Sequence, residues 1–231
     1  MESAGADGGT VAVGNGSGAQ DESPLTVLEI FGLIRSKDEE DRLDGLAELS
    51  DLVDASYGDD GAALGEAVRA VGGVSLLAWL IVDPSLLVQQ QALLILGNLC
   101  SDACDPNSRL TKQLLLECGA HRAIIMVIKS QDPSILLYAC GTLQNLCHDD
   151  DWSRLLIAHE VEKRLEVLIN HEDTRVAHYA AGALKNMLTR VGKAVELSGL
   201  SDDALAAIEH RERDAKLTAL RQKRAIRIIT E

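Results

Sequence analysis

Residues 137–147 read LYACGTLQNLC, and the same helical pattern recurs as QQALLILGNLC at residues 90–100 and HYAAGALKNML at residues 178–188. A weaker copy, LDGLAELSDLV, occupies residues 43–53. One position is equivalent in all four copies, and we call it the asparagine register. In chain order its residues are Asp51, Asn98, Asn145 and Asn186. The steps between these positions are 47, 47 and 41 residues. Such a period is typical of a helical solenoid, which presents a long binding surface rather than a catalytic pocket.

Turn and capping residues divide the chain at the same period. Gly72-Gly73 and Gly119-Ala120-His121 break helices at equivalent points, and the third copy has a glycine-free join near His159-Glu160. Asp83-Pro84-Ser85 and Asp132-Pro133-Ser134 start new helices, because Asp caps a helix and Pro fits its first turn. Three-helix units are therefore predicted at about residues 61–101, 108–148 and 151–190, after a degenerate first repeat at about 38–57.

The ends of the chain differ in composition from the repeats. Residues 1–23 are rich in Gly and Ser and poor in large apolar residues, so we expect a disordered tail there. The solenoid is predicted over residues 24–200, with a first helix started by Ser23-Pro24 and a second one capped by Ser36 or Asp38. Residues 201–231 are predicted to form a helix that caps the last repeat. The alternative is that its basic end, LRQKRAIRII, serves nuclear targeting or an acidic partner.

Composition excludes several classes of function. The formal net charge of −14 opposes nonspecific binding to nucleic acid or to an anionic membrane, and it favours a basic partner. No apolar run approaches the roughly 18–20 residues of a membrane span, so we expect no membrane insertion. The first residues do not resemble a signal peptide, and the five cysteines are an odd number. We therefore expect reduced thiols and a location in the cytoplasm, with the nucleus open.

No residue pattern predicts catalysis, a metal site or a cofactor. Cys100, Cys104 and Cys147-His148 come nearest to a zinc pattern. However, Cys100 and Cys147 are repeat equivalents and should stand about 8–10 Å apart, so we interpret them as buried small side chains. The run Asp149–Asp151 is interpreted as the cap of a helix that starts near Trp152. Both tryptophans, Trp79 and Trp152, are expected to pack in the core or between repeats.

The third helix of each unit has two distinct faces. Positions −10, −6, −2 and +1 from the asparagine register form one apolar stripe, which we predict to be the core. Its members are Val88, Ala92, Leu96, Leu99, Ile135, Ala139, Leu143, Leu146, Val176, Ala180, Leu184 and Met187. The face that holds the asparagines is predicted to form a partner-binding groove. With Asn98, Asn145 and Asn186 it carries Gln91, Leu94, Tyr138, Gly141, His148, Tyr179, Gly182 and Arg190.

This combination of glycine break, Asp-Pro corner and "AL-x-NL" third helix resembles the armadillo family over about residues 40–190. The resemblance implies that Asn98, Asn145 and Asn186 bind the main chain of a partner peptide, and that the glycine before Asn145 and Asn186 opens a slot. The alternative is that the asparagines cap or cross-link adjacent third helices, or face water. Nuclear-import receptors of the family carry Trp one turn before each asparagine. This chain has Leu94, Gly141 and Gly182 there, which argues against a receptor for basic import signals.

The sequence thus predicts an all-α, right-handed solenoid of about four armadillo repeats with capping helices at both ends. The predicted function is that of a non-enzymatic adaptor or scaffold, which binds an extended and preferably basic peptide segment in its concave groove. One alternative is a nucleotide-exchange cofactor of Hsp70, because residues 45–73 are similar to the first repeat of such cofactors. A third possibility is an assembly subunit whose groove holds a fixed partner.

Overall fold

A computed structural model of the chain describes residues 25–191. This part of the chain forms eleven α-helices and contains no strand. The helices are α1 (Val27–Ile34), α2 (Glu39–Ala55), α3 (Asp59–Ala70), α4 (Gly73–Leu80), α5 (Leu86–Leu99), α6 (Ser108–Glu117), α7 (His121–Val127), α8 (Pro133–Leu146), α9 (Asp150–Ala158), α10 (Val161–Leu168) and α11 (Thr174–Arg190). The predicted tail at 1–23 and the predicted capping helix at 201–231 lie outside the described residues.

The helices follow the predicted three-part unit. The units are α3–α4–α5, α6–α7–α8 and α9–α10–α11, and their third helices pack side by side in the order α5, α8, α11. Helix α2 packs against α5 in the place of a further third helix, and α1 packs against α2. The expected all-α solenoid is therefore confirmed over the described residues, with α2 as the third helix of the degenerate first repeat.

The helix starts follow from side chains that accept bonds from unpaired backbone N–H groups. Asp38 caps α2, Asp132 caps α8 with Pro133 at the first helical position, and Asp149 caps α9, as the sequence predicted. The start of α1 was predicted too early. That helix begins at Val27, because Thr26 and Glu29 bond reciprocally to each other's backbone N–H.

The predicted core stripe of the third helices is buried throughout. All twelve of its side chains are at most 3% exposed. Ala92, Ala139 and Ala180 are fully buried, and these small side chains let neighbouring third helices approach closely. Burial of such a row of apolar side chains is the main favourable contribution to folding.

The two tryptophans differ. Trp152 is fully buried, and its Nε1 donates to the carbonyl of Lys112 in the preceding repeat at 2.9 Å, so the predicted inter-repeat packing is confirmed. The same expectation was wrong for Trp79, whose side chain is 76% exposed on α4. Trp79 lies on the side of α4 that faces solvent, while its neighbours Leu77 and Ile81 are buried.

No single helix among residues 25–191 has the length and apolar content of a membrane span. The helix pair α3 and α4 meets those two criteria only when its members are taken together, and it is bent by 80°.

Each three-helix unit turns at a residue with left-handed backbone. Gly72 has φ of 69° and Gly119 has φ of 75°, whereas the equivalent position of the last unit is Glu160, with φ of 58°. A left-handed conformation brings Cβ close to the following carbonyl oxygen, and only glycine avoids this cost. Glu160, in the glycine-free join, therefore adopts the same left-handed backbone conformation as Gly72 and Gly119, but with a steric cost that the two glycines avoid.

We expect Glu160→Gly to stabilise the protein and Gly119→Ala to destabilise it, because left-handed backbone costs a residue with a Cβ roughly 1–2 kcal/mol. Urea unfolding followed by circular dichroism measures both effects. Glu160→Ala is the control, because it removes the exposed contact with Lys163 and keeps the strain. Equal stability of the Gly and Ala variants at residue 160 would contradict the strain argument.

Candidate functional site

A cleft of about 640 Å³ crosses α5, α8 and α11 on the side that carries the asparagine register. We call it the ladder groove. Six of the predicted site residues line it: Leu94, Asn98, Tyr138, Gly141, Asn145 and Tyr179. The remaining lining residues are Leu93, Gly97, Leu137, Thr142, Gln144, Thr174, Arg175 and His178.

The other predicted site residues lie outside the lining of the ladder groove. Asn186 and His148 contact each other, with Nδ2 and Nε2 3.0 Å apart. Gly182 lies against Gln144, which is part of the groove wall. Gln91 and Arg190 do not line the cleft.

Arg175 and His178 are groove residues that the sequence analysis missed. Arg175 is four residues before Tyr179, so it lies on the same face one helical turn earlier. The ring of His178 stacks edge-on against that of Tyr179, with centroids 5.4 Å apart. Extending the asparagine face by one turn toward the start of α11 would have found Arg175.

Two of the ladder asparagines bond to the preceding repeat. Asn145 Nδ2 donates to the carbonyl of Gly97 at 2.9 Å, and Asn186 Nδ2 donates to the carbonyl of Gln144 at 2.8 Å. Gly97 and Gln144 each lie one residue before the preceding ladder asparagine. The same bond therefore joins α8 to α5 and α11 to α8.

These bonds satisfy carbonyls that the helix ends leave open. At the end of α5 the N–H of Cys100 donates to the carbonyl of Leu96, and the N–H of Ser101 donates to the carbonyl of Asn98. The carbonyl of Gly97, which lies between them, receives no bond from the helix backbone. The last carbonyls of a helix have no partner within the helix, so another group must supply one. The end of α8 repeats the arrangement around Gln144. The cross-linking role that the sequence left open is thus what the structure contains at Asn145 and Asn186.

Asn98 has a different partner. Its Nδ2 donates to Oδ1 of Asp54 at 3.1 Å, a bond between two side chains at the surface of α5 and α2. Among the described residues, the side-chain oxygens of Asn98, Asn145 and Asn186 accept no hydrogen bond. Each asparagine therefore keeps one acceptor for a ligand after its structural bond is made.

The two glycines beside the asparagines differ: Gly182 opens no empty slot, whereas Gly141 lines the ladder groove. A Cβ built on Gly182 would lie 2.5 Å from Oε1 of Gln144, and one built on Gly141 would lie 3.9 Å from Cδ1 of Tyr179. The side chain of Gln144 therefore fills the space beside Gly182, whereas the contact at Gly141 is an ordinary one. Gly182 thus serves the close packing of α11 against α8.

The cysteines near the groove are inert core residues. Cys100 and Cys147 are fully buried, as predicted, and burial raises the pKa of Cys100 to about 12 despite the nearby positive charge of Lys112. Burial likewise raises the pKa of Cys147 far above its usual value. Between residues 25 and 191 no group of three or more His, Cys, Asp or Glu side chains is arranged to hold a metal ion.

Comparison with known proteins agrees with this architecture. Residues 108–148 match the model of the armadillo/beta-catenin-like repeat. A designed armadillo repeat protein of known structure is 16% identical, with a TM-score of 0.63 over 79% of this chain and 79% of that one. Residues 108–148 thus match an armadillo repeat, and the described residues share the armadillo fold.

Two further solved structures share this armadillo fold. One is an engineered protein, 22% identical, with a TM-score of 0.62 over 80% of this chain and 67% of that one. The other is a designed armadillo repeat protein in complex with the peptide (KR)4, 16% identical, with a TM-score of 0.62 over 80% of this chain and 79% of that one. No curated protein gave a significant match.

We expect Asn145→Ala to lower the free energy of unfolding of this protein by about 1–2 kcal/mol, because the carbonyl of the buried Gly97 loses its partner. Asn98→Ala should lower the free energy of unfolding by less, because the bond from Asn98 to Asp54 is exposed to solvent. Urea unfolding of the two variants tests the difference. Equal losses of free energy of unfolding would show that the inter-repeat bond of Asn145 stabilises the protein no more than the exposed bond of Asn98 does.

His148 should respond to acid. Partial burial lowers its pKa below the usual 6.5, and the positive charges of Lys112 and Arg190 lower it further. An unfolded chain then takes up this proton first, so the contribution of His148 to stability is complete above pH 6.5 and is lost as the pH falls through the folded pKa.

An NMR titration of the histidine ring protons measures this pKa directly. We expect a value for His148 below 6.5, and a higher value in Arg190→Gln, because that substitution removes one of the neighbouring charges. A value at or above 6.5 in the wild type would contradict the argument.

Proposed function

We propose that this armadillo-repeat protein is a non-enzymatic adaptor that binds an extended peptide segment of a partner protein in the ladder groove. The fold supports the general statement, because armadillo repeats are commonly protein-binding scaffolds and rarely carry enzymatic activity. The observation that carries the proposal is the row of free acceptors on Asn98 and Asn145, beside the rings of Tyr138 and Tyr179, in one cleft.

The chemistry of this row suits an extended main chain. An amide oxygen accepts from a backbone N–H, so successive asparagines can hold a peptide that has no hydrogen bonds of its own. Tyr138 and Tyr179 add rigid apolar surface with a polar tip for its side chains. Helices that pack about 8–10 Å apart make the distance from α2 to α11 roughly 25–30 Å. An extended segment of about eight residues spans that distance.

The charge on α2, next to the α5 end of the groove, favours a basic partner segment there. Asp44, Asp51 and Asp54 are exposed there on the face that continues the asparagine register. At the opposite end Arg175 forms an ion pair with Asp173 at 2.8 Å, so its positive charge is already partly compensated. We therefore propose that Lys or Arg residues of the partner lie against α2 and that apolar residues lie between Tyr138 and Tyr179.

No observation specifically favours a function as an exchange cofactor of Hsp70, and a nucleotide-release assay distinguishes that function from the adaptor function. A location in the cytoplasm or nucleus is likewise a proposal, which the five free thiols support. If the protein accelerated nucleotide release from Hsp70, and if an excess of a groove-binding peptide left that acceleration unchanged, the exchange-cofactor function would replace the adaptor function.

The direct test is selection of ten-residue peptides from a random library, followed by fluorescence anisotropy. We expect enrichment of Lys and Arg in the selected peptides and a loss of affinity of about tenfold or more in Asp44→Lys/Asp51→Lys, because the charges then repel. Tyr138→Ser/Tyr179→Ser should also abolish binding. Asparagine substitutions are a poor test, because they also release the inter-repeat bonds of Asn145 and Asn186.

The matched control is Glu66→Lys/Glu117→Lys. It changes the net charge by the same amount at exposed positions of α3 and α6, away from the ladder groove. We expect this control to bind the selected peptides nearly as tightly as the wild type, with a small loss from the long-range charge alone. Equal losses in both double variants, or no selectable peptide at all, would overturn the proposal.

A further inference from the structure

Three large apolar side chains stand exposed at equivalent positions of three consecutive second helices. They are Trp79 on α4, Met126 on α7 and Val167 on α10, exposed by 76%, 63% and 61%. Each precedes the ladder asparagine of its own repeat by 19 residues. We call this row the outer stripe. Single exposed apolar residues are common and need no explanation, but three in register on adjacent helices form a continuous surface.

The outer stripe is not part of the core that the second helices build. Met126 lies between the buried Ile124 and Val127, which face the third helices, and its own side chain points away from them. Leu165 and Leu168 are buried in the same way on either side of Val167. The stripe is therefore separate from the ladder groove, which the third helices line.

A cleft of about 350 Å³ lies within this surface, between α4 and α7. Trp79 and Val82 line one side, and Met126, Ala123 and the exposed Cys118 line the other. The outer stripe thus includes a concave pocket between two of its members, which can receive an apolar side chain of a partner.

Two cations flank the centre of the stripe. Arg122 lines the cleft one turn before Met126, and Lys129 follows Met126 by three residues. Both are exposed, and neither forms an ion pair with any described residue. Lys163, the equivalent of Arg122 on α10, is paired with Glu160. Uncompensated positive charge is therefore concentrated around Met126, on a chain whose net charge is −14.

The spacing of the stripe matches one face of an α-helix. Directly packed helices stand about 8–10 Å apart, and we expect α4 and α7 to be at least that far apart because a cleft lies between them. A helix repeats its apolar face every seven residues, or about 10.5 Å. An extended strand repeats a side-chain direction every two residues, or about 6.8 Å, which does not fit. A helix of about 15 residues would reach from Trp79 to Val167.

We propose that the outer stripe binds an amphipathic helix of a partner protein, with acidic residues on both sides of the apolar residue that contacts Met126. Trp79 is the largest anchor, at the α4 end of the stripe beside the cleft, and Arg122 and Lys129 set the orientation of the helix through its acidic residues. A second copy of this chain fits less well. A symmetric contact through the same stripe would bring Arg122 and Lys129 of both copies together.

The test uses a panel of helical peptides of about 16 residues, apolar at i, i+3, i+4, i+7 and i+11, with Glu beside the central apolar position. Trp79 is the natural reporter, because Trp152 is fully buried and inaccessible to acrylamide. We expect an acidic peptide to shield Trp79 from acrylamide and to bind at least about tenfold more weakly to Trp79→Ser/Met126→Ser/Val167→Ser, by anisotropy.

A charge exchange tests the orientation. Arg122→Glu/Lys129→Glu should lose the acidic peptide and bind the same peptide with Lys in place of Glu. The matched control is Leu28→Ser/Leu87→Ser/Leu110→Ser, which removes three exposed apolar residues from other helices and should bind normally. Asp44→Lys/Asp51→Lys should also bind the acidic peptide normally, because both substitutions lie on α2, on the face that continues the asparagine register.

Several outcomes would overturn the proposal. They are equal binding of the Glu and Lys peptides by the wild type, no loss in the triple serine variant, and no binding by any acidic amphipathic peptide. Sedimentation that shows a dimer dissociated by the triple serine change would assign the stripe to a second copy. Shielding of Trp79 by phosphatidylserine vesicles would assign it to a membrane surface.

Discussion

The close packing of neighbouring third helices is the constraint on which the rest of this structure depends. Helices α2, α5, α8 and α11 stack side by side, and the fully buried Ala92, Ala139 and Ala180 keep side-chain bulk out of the contact. Because these backbones approach closely, an asparagine of one repeat can reach an open carbonyl at the helix end of the preceding repeat. The same approach brings the asparagine face of successive helices into one continuous groove.

The ladder asparagines therefore combine a structural and a proposed binding role. Asn145 and Asn186 donate to backbone carbonyls at the end of the preceding third helix, and their side-chain oxygens are available to accept a bond from a ligand. Loss of either residue would weaken the connection between repeats as well as any ligand contact. The effect of such a substitution on partner binding therefore has to be measured together with its effect on stability, and the same holds for Tyr138, which packs against the core. Tyr179 is 38% exposed, so we expect its substitution to disturb the fold less.

The two proposed surfaces use opposite parts of the same repeat. The third helices present the ladder groove, with acidic residues at its α2 end. The second helices present the outer stripe of Trp79, Met126 and Val167, with uncompensated cations beside Met126. Since different helices carry them and their charges differ in sign, the two proposals are compatible: a basic extended segment and an acidic helix would bind at separate places. Two such surfaces are what an adaptor requires.

The sequence by itself determined the core stripe of the third helices and the caps of α2, α8 and α9, because helical periodicity and capping chemistry are local. It also located Asn98, Asn145 and Asn186 on one face. Tertiary structure alone decided what those residues contact: Asn98 meets Asp54, while Asn145 and Asn186 meet backbone carbonyls of another repeat. It also placed Trp79 outside the core, since the side of a short apolar helix that faces solvent depends on its neighbours. The asparagine bonds between repeats join residues 42 to 48 positions apart, and no local pattern encodes them.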